Sequence, residues 1–121
     1  MPRRQVARSE EIPERGAIRF RVRGGSGEVP AFAVRVGGTV RAYLNVCTHR
    51  ELELDLGDGT FFTPDGSRLR CRAHGALFEP ETGACAGGVC PKRSTLTELP
   101  VTEEDGIVWV EEGAPIEPWR P

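Results

Sequence analysis

The sequence predicts an all-β protein made of short antiparallel strands, and three observations lead to this fold class. First, 15 glycines and 10 prolines in 121 residues favour many short elements joined by turns. Second, apolar and polar residues alternate with a period of two along several segments. Third, pairs of turn-forming residues separate these segments at hairpin length. Long helices are not expected, and the length suits a single domain over residues 1–121.

The first predicted strand covers residues 18–22, where isoleucine, phenylalanine and valine alternate with arginine. This pattern is typical of a strand with one buried and one solvated face. The alternation continues over residues 32–36, and Gly37-Gly38 then supplies a two-residue turn that tolerates positive φ. Residues 40–44 resume the pattern, so these segments are predicted to form a hairpin that ends close to Cys47.

A second hairpin is predicted around Asp65-Gly66, which would bring residues 61–63 back against residues 68–70. Its return strand ends at Cys71. The segment after Gly83 is rich in glycine and proline until residues 96–101, and Asp105-Gly106 then turns into residues 107–110. This last predicted strand is expected to rejoin the first sheet.

Charge and hydropathy exclude several functional classes. The chain has 16 basic and 18 acidic residues, a net charge of −2, so no overall field points to nucleic acid or to an anionic membrane. The arginines of the first strand alternate with core residues, which indicates a solvated sheet face. No apolar run approaches the about 20 residues of a membrane span, and the N-terminus lacks the apolar region of a signal peptide. A cytoplasmic location is expected.

Two Cys/His pairs are the strongest chemical signal. Cys47 and His49 form the first pair, Cys71 and His74 form the second, and the chain has no other histidine. Each pair follows a predicted strand, so each lies in a loop that can direct both side chains at one centre. Two thiolates and two imidazoles suit either a tetrahedral zinc or a [2Fe–2S] cluster with mixed ligands.

The order of the ligands separates these alternatives. Zinc modules usually group like ligands, as two cysteines followed by two histidines, because one ion lies between two loops. Here each loop supplies one cysteine and one histidine, so each loop can reach both irons of a binuclear cluster. This order favours the cluster. A structural zinc domain that binds a protein partner remains the alternative.

At these residues the sequence resembles the Rieske family, whose motif is Cys-x-His followed by Cys-x-x-His-Gly. The matching residues are Cys47-Thr48-His49 and Cys71-Arg72-Ala73-His74-Gly75, and Thr82-Gly83 is similar to the turn after the second pair. The resemblance implies a Rieske-like antiparallel β-sandwich. Its base would comprise residues 1–45 and 84–121, with a small inserted cluster-binding subdomain at residues 46–83.

The resemblance also implies a cofactor and a function. One [2Fe–2S] cluster per chain would be held by Cys47 and Cys71 on the inner iron and by His49 and His74 on the outer iron. Similarity to stand-alone Rieske ferredoxins implies a one-electron carrier, from a flavin-dependent reductase to an oxygenase or similar terminal enzyme. Since both histidines serve as ligands, no substrate-transforming site is expected. A cluster-bearing subunit of a larger oxidoreductase is a further alternative.

Departures from the family concern the surroundings of the cluster. Ala76 stands where respiratory members have a serine that donates a hydrogen bond, and Leu52 and Arg72 stand where those members have a bridging pair of cysteines. Fewer donors stabilise the reduced cluster less, so the midpoint potential is expected nearer about −150 mV than about +300 mV.

Two further features have competing interpretations. Cys85 and Cys90 lie in a glycine-rich loop, and free thiols are favoured over a local disulfide because the expected location is cytoplasmic. Residues 51–56 alternate acidic residues with leucine. A half-buried extended segment is the favoured interpretation, and an acidic docking edge beside the electron exit is the alternative.

Overall fold

The computed structural model describes residues 3–24, 27–46, 53–55, 57, 59–73, 75–91 and 93–111. Its strands are β1 (Arg3–Arg8), β2 (Ala17–Gly24), β3 (Gly27–Val36), β4 (Thr39–Leu44), β5 (Leu69–Arg70), β6 (Leu77–Phe78), β7 (Cys85–Gly87), β8 (Glu98–Leu99), β9 (Val101–Glu104) and β10 (Ile107–Glu111). A 3-10 turn at Ser9–Glu11 follows β1. The all-β prediction is confirmed. Within these ranges no helix has the length and apolarity needed to cross a membrane.

The strands form three antiparallel sheets. The terminal sheet has the order β1-β10-β9, the central sheet β2-β3-β4-β8, and the small sheet β5-β6-β7. The terminal and central sheets pack face to face through one apolar core, which makes the predicted sandwich. The small sheet includes β7, so its strand pairing continues to Gly87, past the predicted subdomain end at residue 83.

The predicted hairpins are present because their turn residues meet the backbone demands of the turns. Gly37 and Gly38 have φ values of 62° and 82°, and β3 pairs with β4 across them. At the second hairpin the Thr63 amide donates to the Arg68 carbonyl at 2.8 Å, and Phe62 pairs with Leu69. This second hairpin feeds directly into Cys71.

Strand β3 is buried on both faces and therefore separates two cores. Ala31 and Ala33 face the terminal sheet, whereas Phe32 and Val34 face the part of the chain that contains the small sheet. The ring of Phe32 stacks on that of Phe61, with centroids 4.2 Å apart. The small sheet is thus packed on the central sheet through large side chains, and the site it carries rests on this second core.

The terminal sheet differs from the sequence expectation. The last strand does not pair with β2 but with β1 and β9, and it faces the central sheet across the sandwich. Strand β1 was not predicted, because its sequence is arginine-rich and only Ala7 among its residues is buried. Its pairing with β10 joins segments from opposite ends of the chain, which no local pattern indicates.

Candidate metal centre

Of the four predicted ligands, only Cys71 lies within the described residues. Cys47, His49 and His74 lie outside them, so the structure does not test whether the four side chains meet. Within the described part of the chain, no three histidine, cysteine or acidic side chains are close enough to hold a metal ion. The structural description of the site therefore rests on the surroundings of Cys71.

Cys71 follows β5 and is 1% exposed, with its side chain in the core beneath the small sheet. It is a free cysteine. Its amide donates to the Ala76 carbonyl at 2.8 Å, and its carbonyl accepts from the Gly75 amide at 2.8 Å. These two bonds close the loop of residues 71–76, so the backbone on both sides of position 74 is fixed.

Gly75 explains how this loop closes. Its φ of +80° lies in the left-handed region that side chains with a Cβ rarely adopt. Apart from its chain neighbours, no atom of the described residues lies within 4 Å of the position its Cβ would take, so the described part of the chain leaves space beside this backbone. A buried free thiol beside an open glycine fits a group bound at this loop, as a thiolate-ligated cluster requires.

The loop that follows the first Cys/His pair is tied to the second loop by backbone and side-chain contacts. The Arg72 amide donates to the Leu54 carbonyl at 2.8 Å, which joins the two loops one residue from Cys71. The Leu54 amide in turn donates to Asn45 Oδ1 at 2.9 Å. Asn45 directly follows β4, so the central sheet positions both loops.

Asp55 is fully buried and organises this connection. Its carboxylate accepts from Asn45 Nδ2 at 3.1 Å, from the Gly57 amide at 3.2 Å and from the Gly59 amide at 2.8 Å. The Arg19 guanidinium lies 3.1 Å from the same carboxylate. Burial acts to raise the pKa of Asp55, but the hydrogen bonds and the arginine charge outweigh it, so this pKa lies below its ordinary value.

This arrangement bears on the interpretation of residues 51–56. Residues 51, 52 and 56 lie outside the described residues, but Leu54 and Asp55 are both fully buried. The described part therefore does not show the alternation of a half-buried strand. Asp55 does not belong to an acidic docking edge either, because its carboxylate serves the interior of the loop.

Tyr43 fixes the segment that follows the small sheet's second strand. Its hydroxyl donates to the Pro80 carbonyl at 2.8 Å, and burial of the phenol raises the pKa of Tyr43. A Cβ on Gly83 would lie 2.9 Å from Tyr43 Cε1, so only glycine allows this close approach. The Thr82-Gly83 turn is therefore held by packing as well as by its φ of +77°.

The favoured interpretation of Cys85 and Cys90 as free thiols is wrong, since the structure joins them in a disulfide. The expected cytoplasmic compartment disfavours a disulfide, but the pairing of Cys85 with Phe78 in the small sheet, which no local sequence pattern indicates, positions Cys85 for the bond. Cys90 is 7% exposed and packs in the same core as Cys71.

The sequence reasoning also missed Asn45, Asp55 and Tyr43. A usable signal existed for one of them, because Asp55 is followed by glycines at 57 and 59, a composition typical of a loop that wraps a carboxylate. Asn45 and Tyr43 carry no local signal, since their partners Asp55 and Pro80 lie 10 and 37 residues away.

Comparison with known proteins identifies relatives that share this architecture. The oxidoreductase NdmD of Pseudomonas putida is 31% identical over 116 residues, which cover 91% of this chain and 18% of that protein. The chain thus spans less than a fifth of this curated relative.

Among solved structures, the ferredoxin of carbazole 1,9a-dioxygenase from Nocardioides aromaticivorans IC177 has a TM-score of 0.73 at 24% identity, over 93% of this chain and all (100%) of that one. The terminal oxygenase of carbazole 1,9a-dioxygenase from Novosphingobium sp. KA1 has a TM-score of 0.75 at 23% identity, over 98% of this chain and 31% of that one. At these identities the likeness shows the fold, which agrees with the predicted antiparallel architecture.

A family model gives the assignment itself. The model of the Rieske [2Fe-2S] domain matches residues 3–108, which include both Cys/His pairs. The cofactor of this family is a [2Fe–2S] cluster with mixed cysteine and histidine ligation. The chain belongs to the Rieske [2Fe-2S] domain family.

Proposed function

We propose that this chain carries single electrons on one [2Fe–2S] cluster held by Cys47, His49, Cys71 and His74. The observation that carries the proposal is the position of Cys71, a buried free thiol in a loop closed beside an open Gly75, within a chain of the Rieske family. When bound, the cluster supplies a centre that accepts and releases one electron.

The protein's own contribution is a rigid frame for that centre. A one-electron carrier works best when its site changes little between oxidation states. Here the Cys71 and Gly75 amides donate hydrogen bonds that close the second loop, and the Arg72 amide, which donates to the Leu54 carbonyl, fixes this loop to the segment after the first pair. The cysteine ligands would face the core, and the histidine ligands would lie toward solvent, where an electron enters and leaves.

Chemical transformation of a substrate belongs to a partner in this proposal. Both histidines of the chain are assigned as ligands, so neither remains to bind a mononuclear iron or to act as a general base. The chain is then an electron carrier within an oxidoreductase system, without a catalytic residue of its own.

The proposed acceptor is a terminal oxygenase or a similar enzyme, and the proposed donor is a flavin-dependent reductase. Support for the acceptor comes from a solved complex between the oxygenase and ferredoxin of carbazole 1,9a-dioxygenase. The oxygenase-containing structure has a TM-score of 0.74 to this chain at 21% identity, over 93% of this chain and 29% of that one. A cytoplasmic location, where reduced flavin and nicotinamide donors are made, belongs to the same proposal.

A second function is favoured by one observation. The chain matches only 18% of NdmD, an oxidoreductase of much greater length. The same fold can therefore serve as one module of a larger oxidoreductase, bound permanently to its neighbours instead of diffusing between them. Purification from the native host distinguishes the two, because a diffusible carrier elutes at its own mass.

Spectroscopy and metal analysis test the cofactor. The anaerobically purified protein is expected to contain two irons per chain, to bleach with dithionite and to give a reduced paramagnetic spectrum with a lower average g-value than an all-cysteine cluster. Cys71→Ser should abolish this spectrum, and Cys90→Ser should leave it in place. A colourless protein with stoichiometric zinc would refute the proposal.

Stopped-flow kinetics test the partners. Reduced protein mixed with an oxidised Rieske oxygenase should transfer one electron per chain, and a flavin reductase with its nicotinamide donor should reduce the oxidised protein. A chain that holds the cluster but exchanges electrons with neither class would retain the cofactor assignment and remove the proposed partners.

A further inference from the structure

The disulfide joins two cysteines that the proposed ligand set does not use, and it closes a short loop beside the candidate centre. Cys85 and Cys90 are bonded with their Cα atoms 6.0 Å apart. Cys85 begins β7, which pairs with β6, and Cys90 packs in the core that contains Cys71 and Ala76. The bond is therefore part of the same packed unit as the proposed ligand.

The closed loop lies directly on the loop that would hold the cluster. A Cβ on Gly88 would be 2.5 Å from the Gly75 carbonyl oxygen and 3.1 Å from Ala76 Cα. These two residues follow His74, a proposed ligand. The disulfide-closed loop thus packs against the backbone of Gly75 and Ala76, beside the candidate centre.

One side of the bond is open to solvent. Cys85 is half-buried, its neighbours Ala86 and Gly88 are exposed, and Val89 is 47% exposed, whereas Cys90 is buried. A small or protein-borne dithiol can therefore approach the sulfur of Cys85, and the sulfur of the buried Cys90 is then the leaving group.

The loop also has places for the reduced cysteines. Cys90 Sγ lies 3.1 Å from the Gly87 carbonyl oxygen and 3.4 Å from the Leu77 carbonyl oxygen, and Cys85 Sγ lies 3.4 Å from the Cys90 carbonyl oxygen. A disulfide sulfur has no proton to donate, but a thiol does. After reduction each thiol has a backbone acceptor within reach, which favours a reversible couple.

We propose that Cys85–Cys90 is a site of thiol–disulfide exchange with dithiol reductants, and that its state sets how closely the Gly88 loop covers the candidate centre. A thiolate of the reductant attacks Cys85 Sγ, the bond to Cys90 breaks, and Cys90 leaves as a thiolate. The second thiol of the reductant then displaces Cys85 and becomes oxidised. Two electrons and two protons end on the two cysteines.

The effect on electron transfer rests on the proposed function. A cluster with two thiolates and two neutral imidazoles is neutral when oxidised and carries one negative charge when reduced. Reduction of the disulfide frees the Gly88 loop from its covalent closure and admits water next to Gly75. Since water stabilises the charged state more than the neutral one, the midpoint potential of the cluster should rise. Cytoplasmic disulfides are usually transient or redox-sensing, which agrees with such a role.

The first experiment requires no cluster. The native protein is equilibrated in mixtures of reduced and oxidised dithiothreitol poised at a series of potentials that reaches the cytosolic range, then alkylated and analysed by mass spectrometry. Two additional alkylated thiols, at Cys85 and Cys90, should appear and disappear reversibly across the series. A bond that stays intact throughout, or two cysteines that never form it, would overturn the proposal. Either result leaves the iron content and the paramagnetic spectrum, which test the proposed function, unaffected.

The second experiment measures the coupling. The double variant Cys85→Ser/Cys90→Ser should have a higher midpoint potential than the disulfide form. We expect its equilibrium constant for reduction by a reference donor to rise three- to tenfold, and a tenfold change corresponds to about 59 mV for one electron. Gly88→Ala retains the bond but forces the loop from Gly75, and it should raise the potential in the same direction. Val89→Ala, the control in the same loop, should leave the midpoint potential unchanged. Equal potentials in all folded forms would refute the coupling.

Discussion

The buried carboxylate of Asp55 provides the sharpest test of how the candidate centre is built. Asp55→Ala removes the acceptor for three N–H donors, two of which are backbone amides, and leaves them in a site where the carboxylate is fully buried. Each unsatisfied donor costs about 1–3 kcal/mol, and disrupting a buried charged network costs about 3–5 kcal/mol. Because these costs overlap and some water can enter, the expected loss in the free energy of unfolding is about 3–5 kcal/mol.

Two companion variants separate the charge from the hydrogen bonds. Asp55→Asn keeps the size and one acceptor oxygen, so we expect a smaller loss of about 1.5–3 kcal/mol. Glu53→Gln is the matched control, because Glu53 lies 3.4 Å from the same Arg19 guanidinium but has a side chain 31% exposed. A screened ion pair of this kind contributes less than about 1 kcal/mol.

Urea unfolding followed by far-ultraviolet circular dichroism and by visible absorbance measures these differences. The pKa of Asp55 is lowered in the folded state, so its stabilisation is fully present above the unfolded value of about 3.9. This stabilisation is lost as the pH falls through the lower pKa that Asp55 has in the folded state. The gap between the wild type and Asp55→Asn should therefore be constant near neutral pH and narrow only below about pH 4.

Two results would refute this reasoning. One is a loss in Asp55→Ala no larger than that in Glu53→Gln, which would mean that the carboxylate does not hold the loop. The other is a gap between the wild type and Asp55→Asn that widens in acid, which would mean that the folded carboxyl has a raised pKa.

Three other substitutions test the surroundings of the centre. Gly75→Val should reduce the iron content per chain by half or more, because a β-branched residue is strained at a φ of +80°. The control is Gly38→Val, at a φ of +82° in a remote hairpin, which should lower stability without changing the iron content. Tyr43→Phe should lower the free energy of unfolding by about 1–2 kcal/mol, measured in urea, since the Pro80 carbonyl loses its buried donor; an unchanged value would contradict this role. Ala76→Ser should raise the midpoint potential by up to about 60 mV in a redox titration. This shift corresponds to a serine hydrogen bond that stabilises the reduced cluster by about 1.4 kcal/mol more than the oxidised cluster. A wild-type midpoint well above zero would contradict the sequence-based expectation.

The parts of the fold that were predictable from the sequence are those specified by adjacent residues. Gly37-Gly38 and Asp65-Gly66 supply the positive φ that their turns need, so both hairpins could be located from turn chemistry alone. Strand β1 could not, because its pairing partner β10 begins about a hundred residues later and its own exposed face is charged.

The candidate site also combines features that adjacent residues specify with features that depend on distant parts of the chain. Cys71 could be singled out because its spacing to the next histidine carries a chemical meaning. The hydrogen bonds that fix its loop could not be predicted, because Leu54 and Ala76 contribute backbone atoms that are the same in every residue type. The disulfide escaped prediction for another reason. Its formation depends on the register in which β7 pairs with β6, and neither the cellular compartment nor the local sequence specifies that register.

Strand β3 has a consequence for assembly. Its neighbours β2 and β4 are also its neighbours in sequence, so this three-stranded meander can form early, from local contacts. One side of this meander, with Phe32, Val34 and Tyr43, stays exposed to solvent until the segment that carries Phe61 and Cys71 packs against it. Burial of that side therefore depends on folding of the segment that supplies the proposed ligand Cys71. A cluster that binds only the folded segment would stabilise this burial as a ligand does. A chain without the cluster would expose these aromatic side chains more often, and it would aggregate or be proteolysed more readily.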